Sequence, residues 1–272
     1  MAEAQHTLTG NIQRHPDFES HILRTRRDIL VYLPRGYSRQ SRLRYPVLYL
    51  QDGQNVFDAA TAFAGVEWGV DEAAQRLIRK NLIEPLIIVA VANTGDDRIH
   101  EYAPTRGVIQ VGTRKKRSRG QGKKYGRFLV EELKRFIDKT YRTRPEGQFT
   151  GLVGSSLGGL VTLALGIWFP GTFSRLGMMS PAVWWDDEAI VKMVESLESK
   201  LPLKIWLDTG THEEGWERAR TLRDALVEKG WRLYDDLQYT EVEGGEHTES
   251  AWAARVDPML RFLFPPGPMR RR

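Results

Sequence analysis

The stretch 149–160, FTGLVGSSLGGL, decides the fold of this 272-residue chain. Its first five residues, Phe149 to Val153, are mostly apolar and predict a buried strand. The apolar segment from Leu157 to Trp168 predicts a helix. Between them lies the pattern Gly-x-Ser-x-Gly, centred on Ser156, which is typical of a sharp strand-to-helix turn that exposes a serine. We therefore predict that Ser156 is a nucleophile, the alternative being a glycine-rich turn without chemistry.

Strand and helix patterns alternate on both sides of this turn. Six further strands are predicted, at Ile29 to Leu33, Pro46 to Leu50, Leu86 to Ala92, Leu176 to Met179, Leu203 to Leu207 and Leu237 to Val242. Five further helices are predicted, at Trp68 to Lys80, Tyr125 to Tyr141, Asp187 to Ser199, Glu214 to Lys229 and Ser250 to Leu263. The alternation indicates an α/β fold with a mostly parallel sheet, helices on both faces and an antiparallel N-terminal edge. One domain over residues 1–272 accounts for the pattern.

The composition excludes several classes of protein. With 28% charged and 41% hydrophobic residues, the chain is neither disordered nor fibrous. The absence of cysteine excludes disulfides, thiolate metal sites and a cysteine nucleophile. No nucleotide-binding Gly-rich loop and no His-Glu-x-x-His zinc motif occur in the sequence. The longest apolar run, Leu157 to Phe169, is too short to span a membrane, and no signal-peptide pattern opens the chain, so we expect a cytoplasmic protein.

The positive charge of the chain is local. Residues 113–124, TRKKRSRGQGKK, contain seven basic residues and no acid, and the tail 265–272 ends in three arginines. Because the net charge of the whole chain is +5, removing these ten cations leaves −5 on the remainder. Aromatic residues that stack on nucleic-acid bases are missing from the run, so nucleic acid is not the expected partner. We expect a solvated loop that could attract an anionic substrate or surface.

A serine nucleophile needs a general base. Of the six histidines, only His212 and His247 follow Ser156 in the sequence. His247 lies in VEGGEHTES, after the last predicted strand, which is the position expected for the base in the chain order serine, acid, histidine. His212 lies where the acid is expected. We predict that His247 is the base, the alternative being a solvated or capping side chain.

The acid that orients the base should follow the predicted strand Leu203 to Leu207. Three carboxylates lie there, Asp208, Glu213 and Glu214. Asp208 is the last residue of IWLD and Glu214 opens the next helical pattern, whereas Glu213 lies in the loop between them. Glu213 is the preferred candidate, and the other two remain open.

A tetrahedral oxyanion needs two converging N–H donors. One is the backbone N–H of Leu157, which follows the nucleophile at the helix N-terminus. The second should come from the loop QDGQNVFD after the strand Pro46 to Leu50, where Gly53 permits a tight turn that aims the N–H of Gln54. The alternative for this loop is an Asp-Gly turn without further function.

Five motifs together carry a resemblance to a known family. VLYLQDGQNVFD, VGSSLGGL, SPAVWW, DTGTHEE and GGEHTESAW occur in this order between about residues 25 and 264. The chain resembles the putative-esterase family of α/β hydrolases, which includes enterochelin-type esterases, feruloyl esterases and mycolyltransferases. The resemblance implies an α/β-hydrolase fold and no cofactor or metal.

The resemblance also implies roles for particular residues. It implies that Ser156, His247 and Glu213 form the triad and that Leu157 and Gln54 supply the oxyanion donors. By the same similarity, Trp184 and Trp185 lie where family members shape a substrate pocket, the alternative for both being packing. Enterochelin esterases usually carry an additional N-terminal domain for which these first residues leave no room.

The expected function is hydrolysis of a small-molecule carboxylic ester through an acyl-enzyme intermediate. Acyl transfer to an alcohol would use the same residues and is an alternative. A non-catalytic α/β-hydrolase domain that binds an anionic partner through the basic loop 113–124 is a second alternative, which the presence of all three triad residue types disfavours.

Overall fold

A computed structural model describes residues 6–37, 42–111 and 114–267. Its strands are β1 (Asn11–Ser20), β2 (Thr25–Leu33), β3 (Val47–Leu50), β4 (Ile87–Val91), β5 (Gly107–Val111), β6 (Arg114–Ser118), β7 (Thr150–Ser155), β8 (Arg175–Met179), β9 (Lys204–Gly210) and β10 (Leu237–Val242). Eight of them form one sheet in the order β1-β2-β4-β3-β7-β8-β9-β10. Strands β5 and β6 pair with each other in a separate antiparallel hairpin.

The main sheet has a parallel body and an antiparallel edge. Strands β4, β3, β7, β8, β9 and β10 pair in parallel, each with its neighbour. The N-terminal strands β1 and β2 pair antiparallel, and β2 joins the body antiparallel through β4. The predicted fold class is therefore confirmed, including its antiparallel N-terminal edge.

Helices cover both faces of the sheet. They are α1 (Val70–Arg79), α2 (Arg98–Glu101), α3 (Gly122–Arg127), α4 (Lys134–Thr140), α5 (Leu157–Trp168), α6 (Ala189–Glu195), α7 (Arg218–Glu228), α8 (Glu249–Ala253) and α9 (Val256–Leu263). A π-helical turn, Phe128–Leu133, connects α3 directly to α4. The predicted helix from Tyr125 to Tyr141 is thus observed with an irregular middle and an earlier start.

The two faces of the sheet pack into two apolar layers. Along β3, Val47 and Tyr49 contact the layer that contains α3, α5 and α7, whereas Leu48 and Leu50 contact the layer that contains α1 and α9. This alternation follows from the two-residue period of a strand. All four side chains are buried because helices cover both faces, which explains why the strand is apolar throughout its length.

Strand β1 was not predicted from the sequence. Asn11–Ser20 reads NIQRHPDFES, and most of its side chains are exposed or half-buried because it is the edge strand. Its register shifts between His15 and Phe18, around Pro16, and Asp17 adopts a φ of 51°. A proline and a bulge of this kind are features of edge strands, and they remove the alternating pattern that predicts a strand.

The expectation that residues 113–124 form a loop was wrong for most of their length. Residues Arg114–Ser118 are strand β6, and Gly122 begins helix α3. Two of the cations are paired: Lys116 Nζ lies 2.6 Å from Asp96 Oδ1, and Arg119 Nη2 lies 3.1 Å from Asp97 Oδ1. These acids follow β4, so the run's charge is partly neutralised by residues distant in sequence. Residues 112, 113 and 268–272, which include the C-terminal arginines, lie outside the described residues.

Candidate active site

Ser156 lies in the strained turn between β7 and α5. Its backbone adopts φ 55° and ψ −122°, a conformation that non-glycine residues rarely adopt. The turn is held on both sides, because the N–H of Ser156 donates to the carbonyl of Met179 at 3.0 Å and its carbonyl accepts from the N–H of Ala182 at 3.0 Å. These neighbouring residues thus hold the strained strand-to-helix turn that the sequence predicts, which we call the elbow.

The glycines of the elbow are required by close backbone approach. A Cβ at Gly154 would lie 2.6 Å from the backbone carbon of Gly158. A Cβ at Gly159 would lie 3.1 Å from the carbonyl oxygen of Gly154. Side chains at these positions would push the first turn of α5 away from β7, so the serine pattern depends on its glycines for a steric reason.

His247 and Glu213 are brought together by neighbouring parallel strands. Glu213 follows β9 and His247 follows β10, and His247 Nδ1 lies 2.9 Å from Glu213 Oε2. The two loops are tied by backbone hydrogen bonds, including His212 N–H to the carbonyl of Gly245 at 3.0 Å. A Cβ at Gly210 would collide with that same carbonyl oxygen. The glycines therefore permit the close contact of the loops that carry the pair.

The surroundings of Glu213 favour its ionised form. Burial alone would raise the pKa of Glu213, but hydrogen bonds from His247, Ser180 and the Gly210 N–H leave the pKa of this carboxyl below its usual value. The carboxylate side chain is 6% exposed, whereas the His247 side chain is 45% exposed. A buried anion thus stands behind a solvent-accessible imidazole, an arrangement suited to orienting a base and to stabilising the imidazolium.

The other two candidate acids do not contact His247 in the described part of the chain. Asp208 is fully buried, and its Oδ1 accepts from Arg255 Nη1 at 2.6 Å and its Oδ2 from Trp206 Nε1 at 2.6 Å. Burial raises the pKa of Asp208. Glu214 is exposed to solvent. The geometry therefore pairs Glu213, and neither alternative, with the imidazole.

The loop after β3 presents an N–H without a partner. Within the described residues, the backbone N–H groups of Gln54 and Leu157 donate to no protein acceptor. Asp52 adopts a left-handed conformation, φ 53°, just before the short helical turn Gly53–Asn55. A Cβ at Gly53 would lie 2.5 Å from the backbone of Ala90 and Val91, so the loop packs tightly on β4. Neither N–H group that was predicted as an oxyanion donor is thus occupied by a protein acceptor in the described part of the chain.

Sequence reasoning missed the residues that hold this loop. Arg98 donates from Nε and Nη2 to the two carboxylate oxygens of Asp52, each at 2.7 Å, and Asn93 Nδ2 donates to Oδ1 at 2.6 Å. The Tyr102 hydroxyl accepts the Asp52 N–H at 3.1 Å. Arg98 and Asn93 follow β4 at the carboxyl end of the sheet, where ligand sites of such folds lie. Their position directly after a predicted parallel strand could have marked Arg98 and Asn93 as candidate site residues.

Ser156 and His247 are not hydrogen-bonded to each other in the described structure. The Ser156 hydroxyl has no protein partner within 3.5 Å among the described residues, and His247 makes its side-chain hydrogen bond through Nδ1. The other ring nitrogen, Nε2, has no hydrogen-bond partner among the same residues. Hydrogen bonds between nucleophile and base often tighten only when substrate binds.

A cavity of about 570 Å³ opens beside His247. Its lining combines aliphatic, aromatic and charged side chains: Val108, Ile109, Trp184, Glu214, Arg218 and His247. Val108 and Ile109 belong to the hairpin strand β5, which forms one wall of the cavity. The cavity can therefore hold a bulky ligand with both apolar and polar parts next to the imidazole.

The two predicted pocket tryptophans have different surroundings. Trp184 is half-buried and lines the cavity beside His247. Trp185 is fully buried, and its Nε1 donates to Thr105 Oγ1 at 3.1 Å. A Cβ at Gly107 would lie 2.6 Å from the Trp185 ring, so the hairpin packs directly on this indole. Of the two, Trp184 lines the cavity, whereas Trp185 packs in the core, as the alternative interpretation of these residues expects.

A carboxylate cluster away from these residues is the candidate cation ligand set in the described structure. Glu67, Asp71 and Glu72 each offer one oxygen, and these atoms lie within 4.8 Å of one another. Asp71 Oδ2 accepts from the N–H and hydroxyl of Thr9 at 2.7 and 2.9 Å. Burial and Glu72 raise the pKa of Asp71 to about 7. The cluster thus anchors the N-terminal segment, and it lies outside the groups that surround Ser156.

A mostly parallel sheet with a strained serine turn after an inner strand defines the α/β-hydrolase class of folds. The chain belongs to the family described as "Putative esterase", whose sequence profile matches residues 20–263. Members of this family are carboxylic-ester hydrolases, and this is the class of enzyme to which the chain belongs. Among the described residues, no helix is both long and apolar enough to cross a membrane.

The chain is similar to a named esterase in sequence and to solved structures in fold. It is 27% identical over 247 residues to ferri-bacillibactin esterase BesA of Bacillus subtilis, covering 82% of this chain and 81% of BesA. The crystal structure of BES protein from Bacillus cereus aligns with a TM-score of 0.73 and 22% identity, covering 97% of this chain and 99% of that one. Enterobactin esterase FES from Shigella flexneri aligns with a TM-score of 0.74 and 17% identity, covering 94% and 61%.

Proposed function

We propose that this chain hydrolyses carboxylic esters through an acyl-enzyme intermediate formed on Ser156. The contact that carries the proposal is the 2.9 Å hydrogen bond between His247 Nδ1 and Glu213 Oε2, at the same carboxyl end of the sheet where Ser156 adopts its strained conformation. An ionised Glu213 fixes the proton of His247 on Nδ1 and leaves Nε2 as the basic nitrogen.

In the first half-reaction, the Ser156 hydroxyl attacks the ester carbonyl while His247 Nε2 takes its proton. The tetrahedral oxyanion accepts hydrogen bonds from the N–H groups of Leu157 and Gln54. Its collapse breaks the bond to the alcohol, which leaves with the proton from His247, and the acyl group stays on Ser156. Water then repeats the attack and releases the carboxylic acid.

The cavity favours an ester with an aromatic or otherwise bulky part. Trp184 offers an indole face, Val108 and Ile109 offer aliphatic contacts, and Arg218 lies at the same cavity as a cation. BesA and FES are named for bacillibactin and enterobactin, and FES was solved with 2,3-dihydroxy-N-benzoyl-glycine, an aromatic acyl compound. Esters of carboxylic acids that carry an aromatic group are therefore the proposed substrate class.

The alternative of an anionic partner bound through residues 113–124 is not favoured by the structure. Lys116 and Arg119 form ion pairs with Asp96 and Asp97, so the segment's charge is partly satisfied within the chain. Such exposed ion pairs contribute little to stability, but they reduce the positive electrostatic potential that would attract an anionic partner.

The test uses p-nitrophenyl esters of acetate, butyrate and benzoate together with a fluorophosphonate probe that labels activated serines. Wild type should turn over at least one ester and become labelled, and Ser156→Ala should lose both activities. Ser196→Ala, which changes an exposed serine whose hydroxyl donates to the carbonyl of Met193, serves as the matched control. Labelling that persists in Ser156→Ala would refute the assignment of the nucleophile.

A further inference from the structure

The hydroxyl of Ser180 occupies a buried junction behind the candidate triad. Trp252 Nε1 and Arg255 Nη1 each lie 3.1 Å from Ser180 Oγ, and Glu213 Oε1 lies 2.6 Å from it. An indole N–H and a guanidinium N–H can only donate, so the serine oxygen accepts both. Its single hydrogen is then left for Glu213. Chemistry alone thus fixes the direction of this hydrogen bond.

This bond divides the two oxygens of Glu213 between different tasks. Oε1 accepts from the Ser180 hydroxyl at 2.6 Å, from the Gly210 N–H at 2.8 Å and, more weakly, from Arg255 Nη2 at 3.5 Å. Oε2 accepts from His247 Nδ1 at 2.9 Å. A carboxylate held at one oxygen by two close donors and a third, longer one cannot rotate freely, so the other oxygen stays directed at the imidazole. Hydrogen bonds to the ionised form also contribute to the lowered pKa of Glu213.

A buried ion pair keeps Ser180 in place. Arg255 Nη1 also donates to Asp208 Oδ1 at 2.6 Å, and both side chains are 5% exposed or less. The backbone N–H of Ser180 donates to the carbonyl of Asp208 at 2.9 Å. Ser180 itself adopts φ 45°, a strained conformation directly after β8. Asp208 therefore acts on the acid Glu213 through Arg255 and Ser180 rather than on the histidine.

We propose that Ser180 is a positioning residue of the ester hydrolase, whose hydroxyl holds Glu213 Oε1 so that Oε2 alone orients His247. The inference rests on the function proposed above. Groups that support a catalytic side chain from behind typically contribute 10- to 100-fold to activity, as the outer ligands of metal sites do, so we expect a loss of about tenfold or more without this hydroxyl. The loss should fall on kcat, because Ser180 is buried and is not among the residues that line the proposed substrate cavity of about 570 Å³.

The experiment compares Ser180→Ala with Ser20→Ala in the full chain. Ser20 is a matched control, since it is equally buried and its hydroxyl donates to Glu132 Oε2 at the same 2.6 Å, but it lies on edge strand β1. Each variant is measured for kcat and KM on a p-nitrophenyl ester, for Tm, and for the low-field proton NMR signal of His247 Nδ1–H, which His247→Ala identifies. We expect Ser180→Ala to lower kcat at nearly constant KM and to shift or broaden the signal, and Ser20→Ala to change neither.

Two results would overturn the proposal. One is a folded Ser180→Ala variant with wild-type kcat and an unchanged Nδ1–H signal, and the other is an equal fall of kcat in both variants, which would indicate general destabilisation. If Ser180→Ala does not fold, Ser180→Cys replaces the hydroxyl by a weak donor of similar shape and should show an intermediate loss. A wild type that cleaves no ester would refute the proposed function. The NMR signal requires no turnover, so the effect of the Ser180 hydroxyl on Glu213 and His247 could still be measured.

Discussion

Arg98 holds Asp52 by two parallel hydrogen bonds of 2.7 Å, from Nε to Oδ1 and from Nη2 to Oδ2. The pair joins the segment after β4, which contains Arg98, to the loop after β3. Asp52 lies in that loop, two residues before Gln54. The Arg98 guanidinium also lies over the Tyr102 ring, 5.0 Å from its centroid, and the neighbouring Asp52 raises the pKa of Arg98 although burial opposes this. A bidentate pair of this kind fixes orientation as well as distance. The loop that presents the Gln54 N–H is thus held by a permanent cation.

Replacing Arg98 by lysine should loosen this loop. A lysine keeps the charge but cannot reproduce the two parallel bonds, so the Gln54 N–H would lose its fixed position. Complete loss of one oxyanion donor costs about 10²- to 10³-fold in kcat, and a loosened donor should cost about tenfold. The measurement is kcat on a p-nitrophenyl ester, with KM recorded alongside.

Arg127→Lys is the matched control for this change. Arg127 makes a bidentate contact with Glu131, at 2.8 and 3.1 Å, on the exposed face of the helical segment that contains α3. We expect wild-type kcat in this variant. An Arg98→Lys enzyme with unchanged kcat would show that the loop is held by its packing on β4 instead.

Glu213→Gln should abolish most of the activity. The amide can still accept from Ser180 at one atom, but its NH₂ group would face His247 Nδ1 and favour the wrong tautomer of the imidazole. A fall of about 10³-fold or more in kcat is expected on this ground. Steady-state kinetics at pH 8 measure it.

The corresponding changes at Glu214 and Asp208 distinguish a loss of His247 orientation from a loss of protein stability. Glu214→Gln should leave kcat almost unchanged, because this exposed residue does not contact His247. Asp208→Asn should mainly lower Tm, since breaking a buried pair such as Asp208 with Arg255 costs about 3–5 kcal/mol, and should lower kcat less than Glu213→Gln because it acts on Glu213 only through Arg255 and Ser180. The assignment of Glu213 would be refuted if Glu214→Gln were the variant that loses 10³-fold.

The sequence predicts those parts of the molecule that depend on local chemistry. The turn around Ser156 is encoded by adjacent residues, because a strand, three glycines and an apolar helix must follow one another there. The sheet is predictable for the same reason: β3 and β4 are buried on both faces and are apolar throughout. Local patterns of this kind do not depend on where the rest of the chain lies.

The supporting contacts could not be predicted, because their partners are distant in the sequence. Ser180 meets Arg255 across 75 residues, and nothing near either residue indicates the other. The choice among Asp208, Glu213 and Glu214 likewise depends on which loop reaches His247. The hairpin of β5 and β6 was missed because its second strand, RKKRS, has no apolar alternation, and its packing rests on Trp185 below it.

The two adjacent tryptophans should respond differently to truncation. Trp184→Ala removes an indole from the cavity wall and should raise KM for a benzoate ester by about three- to tenfold, the range expected for one aromatic contact. Trp185→Ala removes a fully buried indole under the hairpin and should cost about 3–5 kcal/mol of unfolding free energy. KM and urea denaturation are the two measurements.

Each tryptophan serves as the control for the other, because the two residues are neighbours in sequence and identical in chemistry. A rise in KM confined to Trp184→Ala, with near-normal stability, supports the cavity as the substrate site. If Trp184→Ala binds aromatic and aliphatic esters as wild type does, the substrate lies elsewhere.

The buried carboxylate Asp71 should make the protein less stable as the pH rises from about 4 to 7. Burial and the neighbouring Glu72 raise the pKa of Asp71 from its usual 3.8 to about 7 in the folded protein. Between these values the folded state binds more protons than the unfolded state, so the free energy of unfolding falls with pH, by at most about 1.4 kcal/mol per pH unit for one group. The contribution is complete below about pH 4 and is lost as the pH passes 7.

Asp71→Asn should remove this pH dependence and raise stability at pH 8. The amide oxygen can keep both hydrogen bonds from Thr9, and the amide nitrogen can donate to Glu72, whereas above pH 7 the ionised Asp71 and Glu72 repel each other. Asp17→Asn, at an exposed position of β1, controls for the change of residue itself. Urea denaturation at pH 5, 6, 7 and 8 gives the four free energies for each protein. If the free energy of unfolding depends on pH in the same way for wild type and Asp71→Asn, Asp71 is already ionised in the folded protein at pH 5. That outcome would contradict the prediction.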